Sequence, residues 1–529
     1  METLQELEKL FANGCISRRE FMKRASALGM TVALATALLP GKSAAAGPKK
    51  GGRLRIGVSG CSTSDTLDPA IIDAYLPHIV QHGQLRNCLA EIDHTGNAIP
   101  ELAESWEASP DAKTWTFKLR KSVEFHNGKT MNADDVIFSF DYHRNEKSKS
   151  PAKSFLRDVK EIRKDDKNTV VFELESGNAD FPFIVSDYHL QIVPEGTTDF
   201  SDGMGTGPYM LKDFKPGVSA LTQRNPNYWK TGRAHFDEIE SICIQDAATR
   251  VNALMTGTVD FADRIDLKTV DRLAQKAGIN VDEVTGAMHF SFPMLTDTPP
   301  YDSNDVRLAL KHALDRQQML KIILRGHGTV GNDNPISSVY RYFDPDLPQR
   351  EYDPDKARYY LKKSGIGDYT FKLHAAPNAV FPGTMEAAIL LKEHAAKAGL
   401  KVDVVRVPDD GYWKEVWMKK PWSACYWLGK PTEDQVLSLT YAAGGSWNDT
   451  NWNHERFNQL LQAARSELDD AKRRQMYYEM QRIVRDEGGQ IIHLFQNYVF
   501  ASKDTLKHGP LAGNLDCDGM KFTERWWFA

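Results

Sequence analysis

Two acids, a cysteine and two tryptophans fall within one short stretch, Trp422-Ser423-Ala424-Cys425-Tyr426-Trp427-Leu428-Gly429-Lys430-Pro431-Thr432-Glu433-Asp434. Trp447, Asn448, Asn451 and Trp452 follow closely. Flat rings grip a ligand at little entropic cost, and neighbouring amides and carboxylates give direction. The set therefore suits binding: Trp427 and Trp447 pack on a ligand, and Asn448 hydrogen-bonds it. A second set, Ser62, Thr63 and Asp65, follows an apolar run ending at Val58. Open α/β sheets place ligands just beyond such strand ends.

Other motifs ask for no chemistry. The chain has no GxSxG, no HExxH and no Walker loop, so it is read as a non-enzyme. Gly326-His327-Gly328-Thr329-Val330-Gly331 is a literal GxGxxG. A dinucleotide site needs that motif after a strand and opening a helix. Here a helix pattern precedes it, which predicts a loop. His78 and His82, four apart on a predicted helix, face one side, but no cysteine or carboxylate completes a metal set. They are read as structural or surface residues, and His126 as the support of a turn. No cofactor is expected. Six cysteines occur, Cys15, Cys61, Cys88, Cys243, Cys425 and Cys517, without a CxxC pair. Disulfide pairing among the last five stays open.

Composition narrows the partners. Of 529 residues, 41% are hydrophobic and 26% charged, the balance of a globular chain. Beyond residue 46 there are 60 basic and 67 acidic side chains, a net charge of −7. Nucleic acid is excluded as a partner by the lack of clustered Lys and Arg. The first 46 residues read as an address. Ser17-Arg18-Arg19-Glu20-Phe21-Met22-Lys23 has the twin-arginine pattern, with Arg18, Arg19 and Phe21 its signature. An apolar run from Ala25 to Leu39 and a small-residue region ending at Ala46 complete a removable signal. That run is about 15 residues, short of the roughly 20 that span a bilayer. The chain is expected in the periplasm with the signal removed near Ala46, and without a membrane span.

Periodicity beyond the signal alternates strand with helix. Strands are predicted near Arg53–Val58, Trp115–Arg120, Thr169–Leu174, Tyr369–His374 and Lys401–Val407. Helices are predicted from about Pro69 to Leu89, from Ala133, over Asp305–Leu324 and Thr384–Ala398, and as a charged pair over His454–Asp486. Asn132 caps the second of these, with acids in its first turn. This alternation predicts an α/β fold.

The segments Pro100-Glu101-Leu102-Ala103-Glu104-Ser105-Trp106, Trp115-Thr116-Phe117-Lys118-Leu119-Arg120, Val123-Glu124-Phe125-His126-Asn127-Gly128, Gly205-Thr206-Gly207-Pro208-Tyr209 and Asn225-Pro226-Asn227-Tyr228-Trp229 carry a resemblance. So do Val306-Arg307-Leu308-Ala309-Leu310 and Asp315-Arg316. In this order the chain resembles the bacterial extracellular solute-binding proteins, family five, from about residue 51 to its end. The family's members receive dipeptides, oligopeptides, opines, nickel chelates or haem.

The resemblance implies a two-lobed periplasmic-binding-protein fold of the class II, venus-flytrap type. Lobe one would comprise 51–92, 206–288 and 496–529, with an inserted subdomain at 93–205 and lobe two at 289–495. It implies a monomer that captures a peptide-like or opine-type solute and delivers it to the transmembrane subunits of an ABC permease. A haem- or metal-chelate-binding or chaperone-like exported protein is the alternative on the same fold. In peptide-binding relatives an aspartate in a Pro-Asp-rich loop holds the ligand's ammonium. Here the loop is shorter and lacks Pro-Asp, so that role falls to Asp434, with Glu433 as alternate. The stretch Ala375–Pro382, which in a peptide receptor would offer arginine to a carboxylate, has none.

Overall fold

A computed structural model describes residues 48–529 apart from Asp73, Asn378 and Ser446. Arg18, Arg19, Phe21 and Ala46, read from sequence as parts of an export signal, lie outside the described residues. Residues Lys50–Phe528 form one compact unit.

A nine-stranded mixed sheet is its spine. Eight strands run in the order Cys425–Trp427, Ile279–Pro293, Gln490–Lys503, Phe261–Ala262, Arg53–Val58, Glu238–Cys243, Ser219–Arg224 and Tyr209–Lys215. Arg53–Val58 is parallel to both of its neighbours. Its Leu54, Ile56 and Val58 are fully buried, as a strand covered on its faces requires. The two strands Ile279–Pro293 and Gln490–Lys503, 15 and 14 residues long, pair antiparallel and join the two ends of the molecule. Their register shifts between Thr285 and His289. Gly286 sits at the irregularity, where a Cβ would come within 3.0 Å of the Tyr498 ring and of the Gln496 carbonyl. A bulge of this kind bends a ladder locally without breaking it.

Two structures hang on this spine. The four-stranded antiparallel sheet Ala103–Ala108, Thr114–Leu119, Thr169–Leu174 and Val159–Asp166 builds its own core with helix Ala133–Arg144. Along Thr114–Leu119 buried Trp115, Phe117 and Leu119 alternate with less buried residues, as a sheet covered on one face demands. Asn132 caps the helix with a complete capping box through Asp135. The second structure contains the parallel pair Thr370–Ala375 and Lys401–Arg406, connected through helix Thr384–Lys397. Helices Glu455–Ser466 and Asp470–Glu487 form the expected charged pair.

Three local expectations change. The predicted helix ending near Leu89 shrinks to Tyr75–Val80 followed by a wide π-type turn at Gln81–Leu85. The cause is tertiary: Gly83 passes so close to the Met520 carbonyl that a Cβ would lie 2.4 Å from it. The predicted helix Asp305–Leu324 divides into Asn304–His312 and Arg316–Ile323, because the Asp315 side chain accepts the Gln318 N–H and starts a new helix. The GxGxxG stretch is not wholly loop. Gly328–Val330 forms a short strand against Gln490–Lys503, and Gly328 lets it approach, since a Cβ would meet the Phe495 carbonyl at 2.4 Å.

Candidate functional site

The carboxyl ends of the parallel strands Arg53–Val58 and Phe261–Ala262 converge on Asp263. Its carboxylate accepts the Ser59 N–H and hydroxyl, the latter at 2.9 Å, and pairs with Arg250 Nε at 2.8 Å. The next residue, Arg264, has φ +43°, a conformation few non-glycine residues adopt. Its guanidinium lies 4.1 Å from the centre of the Tyr75 ring, and its Nε donates to Asp516 Oδ2 at 3.2 Å. The side chain is still 51% exposed. Cys517, Asp518 and Met520 beside it also take positive φ. Burial raises the pKa of the Tyr498 hydroxyl, with Asp516 adding to the rise and Arg264 opposing it.

The loop after the first strand is largely committed to its own architecture. The disulfide Cys61–Cys243, with Cα atoms 6.2 Å apart, ties it to the end of the neighbouring strand and resolves the open pairing. Cys88, Cys425 and Cys517 are free and buried. Asp65 is buried and accepts the N–H of Ser62 at 3.0 Å and of Gly217 at 3.2 Å, which pins the loop to the turn after Lys215. The Ser62 hydroxyl meets Ser64, and Thr63 faces outward.

Across the molecule the tryptophans do assemble. Trp427 is buried between Trp417 and Trp447, at ring-centre distances of 6.0 and 5.9 Å. Trp447 is 45% exposed, and Lys430 Nζ lies 5.7 Å from its ring centre. The Lys430 N–H donates to the Tyr340 hydroxyl at 3.1 Å. Burial lowers the Lys430 ammonium's pKa, opposed by Asp187. Gly429 packs on Ala287, next to the irregularity in the two long strands. Lys430, Tyr340, Trp447, Trp427 and Trp417 thus form one cluster of polar and aromatic groups.

The other sequence-selected residues are engaged elsewhere. Asn448 donates to the carbonyls of Trp452 at 2.7 Å and Ala442 at 3.1 Å, and its own oxygen accepts from Trp452 N and Thr450. It organises its loop and has no capacity left for a ligand. Asp434 accepts two nitrogens of Arg465, the closer at 3.1 Å, and the Ser438 hydroxyl. Glu433 accepts the backbone N–H of Tyr342. Burial, with Asp180 nearby, pushes the Glu433 carboxyl up to about 7. Neither acid is a free anchor in this arrangement. Asp449, which the sequence did not single out, is buried against Trp417 Nε1 at 3.2 Å and Gln490 Nε2 at 2.6 Å, and burial raises it to about 6.

His78 and His82 do not form a metal pair. His78 packs edge-on against Tyr188, at 4.6 Å between ring centres, and burial lowers its pKa to about 3. His82 is buried in the π-type turn. His126 holds its turn through Gly207 O at 3.2 Å. Glu91, Glu101 and Glu524 converge closely enough for a metal ion, but cations already fill the space. Lys230 Nζ sits 3.0, 2.9 and 3.0 Å from the three carboxylates, and Lys521 also bonds Glu91 and Glu101.

Arg264 escaped the sequence reading for a physical reason. Its strand has two residues, too few to show periodicity, and its partners Tyr75 and Asp516 are distant in the chain. The one available signal was its place just after a short apolar run, Val259-Asp260-Phe261-Ala262.

Comparison with known proteins places these features. The chain is 29% identical over 463 residues to heme-binding protein A of Haemophilus influenzae, covering 79% of this chain and 83% of that one. It is 27% identical over 434 residues to the dipeptide-binding protein of Escherichia coli K12, covering 75% and 81%. The structure of HbpA2 from Haemophilus parasuis superposes with a TM-score of 0.80 at 24% identity, covering 88% of this chain and 99% of that one. The fold is the two-lobed α/β fold of periplasmic binding proteins. Residues 97–449 match the family model described as bacterial extracellular solute-binding proteins, family 5, and the chain belongs to that family.

Proposed function

We propose that this chain is the exported substrate-binding component of an ABC importer, which captures a peptide-like or opine-type solute between its lobes and hands it to the permease. The carrying observation is membership of the solute-binding family, together with two groups suited to a ligand: Arg264, half-exposed at a strand end, and the cluster of Trp417, Trp427 and Trp447. Lobe one is taken as 51–92, 206–288 and 496–529, the inserted subdomain as 93–205, and lobe two as 289–495. The register shift between Thr285 and His289 supports placing the division between the lobes there. A solute touching both sides favours the closed arrangement by its extra contacts there, and closure is what a permease can read. The protein works as a monomer without catalysis. The leader 1–46, with Arg18, Arg19 and Phe21, directs it through the twin-arginine route to the periplasm. Among the described residues no helix is long and apolar enough to cross a membrane.

Solute binding to the native state alone raises stability by about 2.7 kcal/mol at a hundredfold excess over Kd. Melting measured with peptides, opines, nickel chelates and haem tests the reading, and a set in which nothing raises the melting temperature refutes it. Likeness to a heme-binding relative favours haem as the second reading. A Soret band in protein purified without added ligand would support it.

A further inference from the structure

We propose that Arg264 is the anchor for a carboxylate on the solute, so that the receptor takes an anionic or free-carboxylate ligand. This deepens the receptor reading and rests on it.

The guanidinium is held in place before any ligand arrives. Its face lies on Tyr75, its Nε is taken by Asp516, and the Arg264 carbonyl accepts Arg250 Nη2 at 3.2 Å. Its two terminal nitrogens make no hydrogen bond to any described residue, and half of the side chain faces solvent. One edge of the fork is therefore fixed while the other stays open. A planar fork with two free N–H donors matches a carboxylate in bidentate geometry.

The setting agrees. Arg264 follows the carboxyl end of a strand parallel to the first strand, the place where α/β sheets collect ligands. The backbone holds φ +43° there, and three non-glycine neighbours at 517, 518 and 520 are also left-handed. Such strain persists where surrounding structure over-determines it, and it gathers at ligand clamps. Tyr75 also donates its hydroxyl to Cys517 Sγ at 3.1 Å, so the ring under the guanidinium is locked as well. Elsewhere in the molecule Lys430 is a second cation, partly desolvated over Trp447. Asp65, Asp434 and Asn448, the polar residues that suggested themselves from sequence, are occupied by protein donors and acceptors.

The test uses the mature chain and a panel of di- and tripeptides and N-carboxyalkyl amino acids, each as free acid and as the carboxamide or methyl ester. Melting and calorimetric titration are measured for wild type, Arg264→Gln and Arg264→Lys, with solute-free melting as the folding control. Free acids are expected to raise wild-type melting, and their capped forms are not. Arg264→Gln is expected to weaken binding about 30-fold or more, with Arg264→Lys recovering part of it, as for a lost charge-assisted hydrogen bond. If acid and capped forms bind alike, if only capped forms bind, or if Arg264→Gln binds normally, the carboxylate anchor is wrong and the receptor reading stands. If no member of the panel binds wild type, the carboxylate anchor falls, while the receptor reading is decided separately by nickel chelates and haem.

Discussion

Replacing Lys230 with methionine tests the most heavily charged part of the interior. Lys230 is 12% exposed and lies about equally close to Glu91, Glu101 and Glu524. Burial would push the Glu91 carboxyl up, but Lys230, Lys521 and Arg525 outweigh it and hold it well below the usual range. Burial likewise opposes the Lys230 charge, and Glu101, Glu524 and Glu91 raise it regardless. Methionine fills nearly the same volume, so the change isolates charge from packing. It leaves three carboxylates facing Lys521 and Arg525, and breaking a buried pair from one side costs about 3–5 kcal/mol. A unit of roughly 480 residues unfolds with an entropy of about 1 kcal/mol/K, so Tm should fall by about 3–5 °C at pH 7. The pH dependence gives a second handle. In wild type the depressed Glu91 and Glu524 carboxyls contribute stability that is present above the unfolded value of 4.5 and lost as pH falls through their lower folded values. In Lys230→Met one carboxyl takes up a proton more readily, so the deficit should be larger at pH 8 than at pH 5. Differential scanning calorimetry at both pH values reads this directly. A variant melting within a degree of wild type at pH 8, or a deficit that grows on acidification, would refute the account of this cluster.

Glu433 carries the opposite sign. Its carboxyl is raised from 4.5 to about 7, so its contribution is fully present below 4.5 and is lost as pH rises through 7. Glu433→Gln keeps an acceptor for the Tyr342 N–H and should stabilise the protein by about 1–3 kcal/mol at pH 8, with little effect at pH 4.5, in denaturant titrations. Cys61→Ala with Cys243→Ala opens a loop of 182 residues' separation. Chain entropy alone assigns such a crosslink about 5 kcal/mol, so a fall of several degrees in Tm is expected, and a peptide map should find no other disulfide among the described cysteines. Trp447→Ala should leave solute-free melting nearly unchanged, since the ring is 45% exposed, while weakening solute binding several-fold in calorimetry. Asp434→Asn should leave solute binding intact in the same titrations, because the carboxylate is taken by Arg465 and Ser438.

Much of the architecture was legible from local pattern. Thr169–Leu174 appears with the predicted bounds, and Lys401–Arg406 and Thr384–Lys397 end one residue early. Asn132 caps its helix as its side chain and the following acids require. These elements depend on side-chain alternation and on hydrogen bonds within a few residues, information that lies in consecutive positions. The misread segments each meet a distant partner. Gly83 against Met520 turns a helix into a π-type coil, and Gly328 against Phe495 turns a loop into a strand.

The site divides in the same way. Residue type alone brought out Trp427 and Trp447, because bulky rings in a short polar stretch have few structural uses, and the structure does bring them together. Residue type could not tell whether an acid or amide was already satisfied. Asp434 meets Arg465, Asn448 meets Trp452, and Asp65 meets Gly217, and each pairing removes a ligand contact the chain otherwise advertises.

By itself, then, the order of motifs from Pro100 to Arg316 determined the family and the α/β class, since both rest on patterns read along the chain. Only the tertiary structure decided the Cys61–Cys243 pairing, the cation-filled carboxylate cluster and the exposure of Arg264. Arg264 meets its partners across separations of 189 residues to Tyr75 and 252 to Asp516, and only folding can bring such groups within bonding distance.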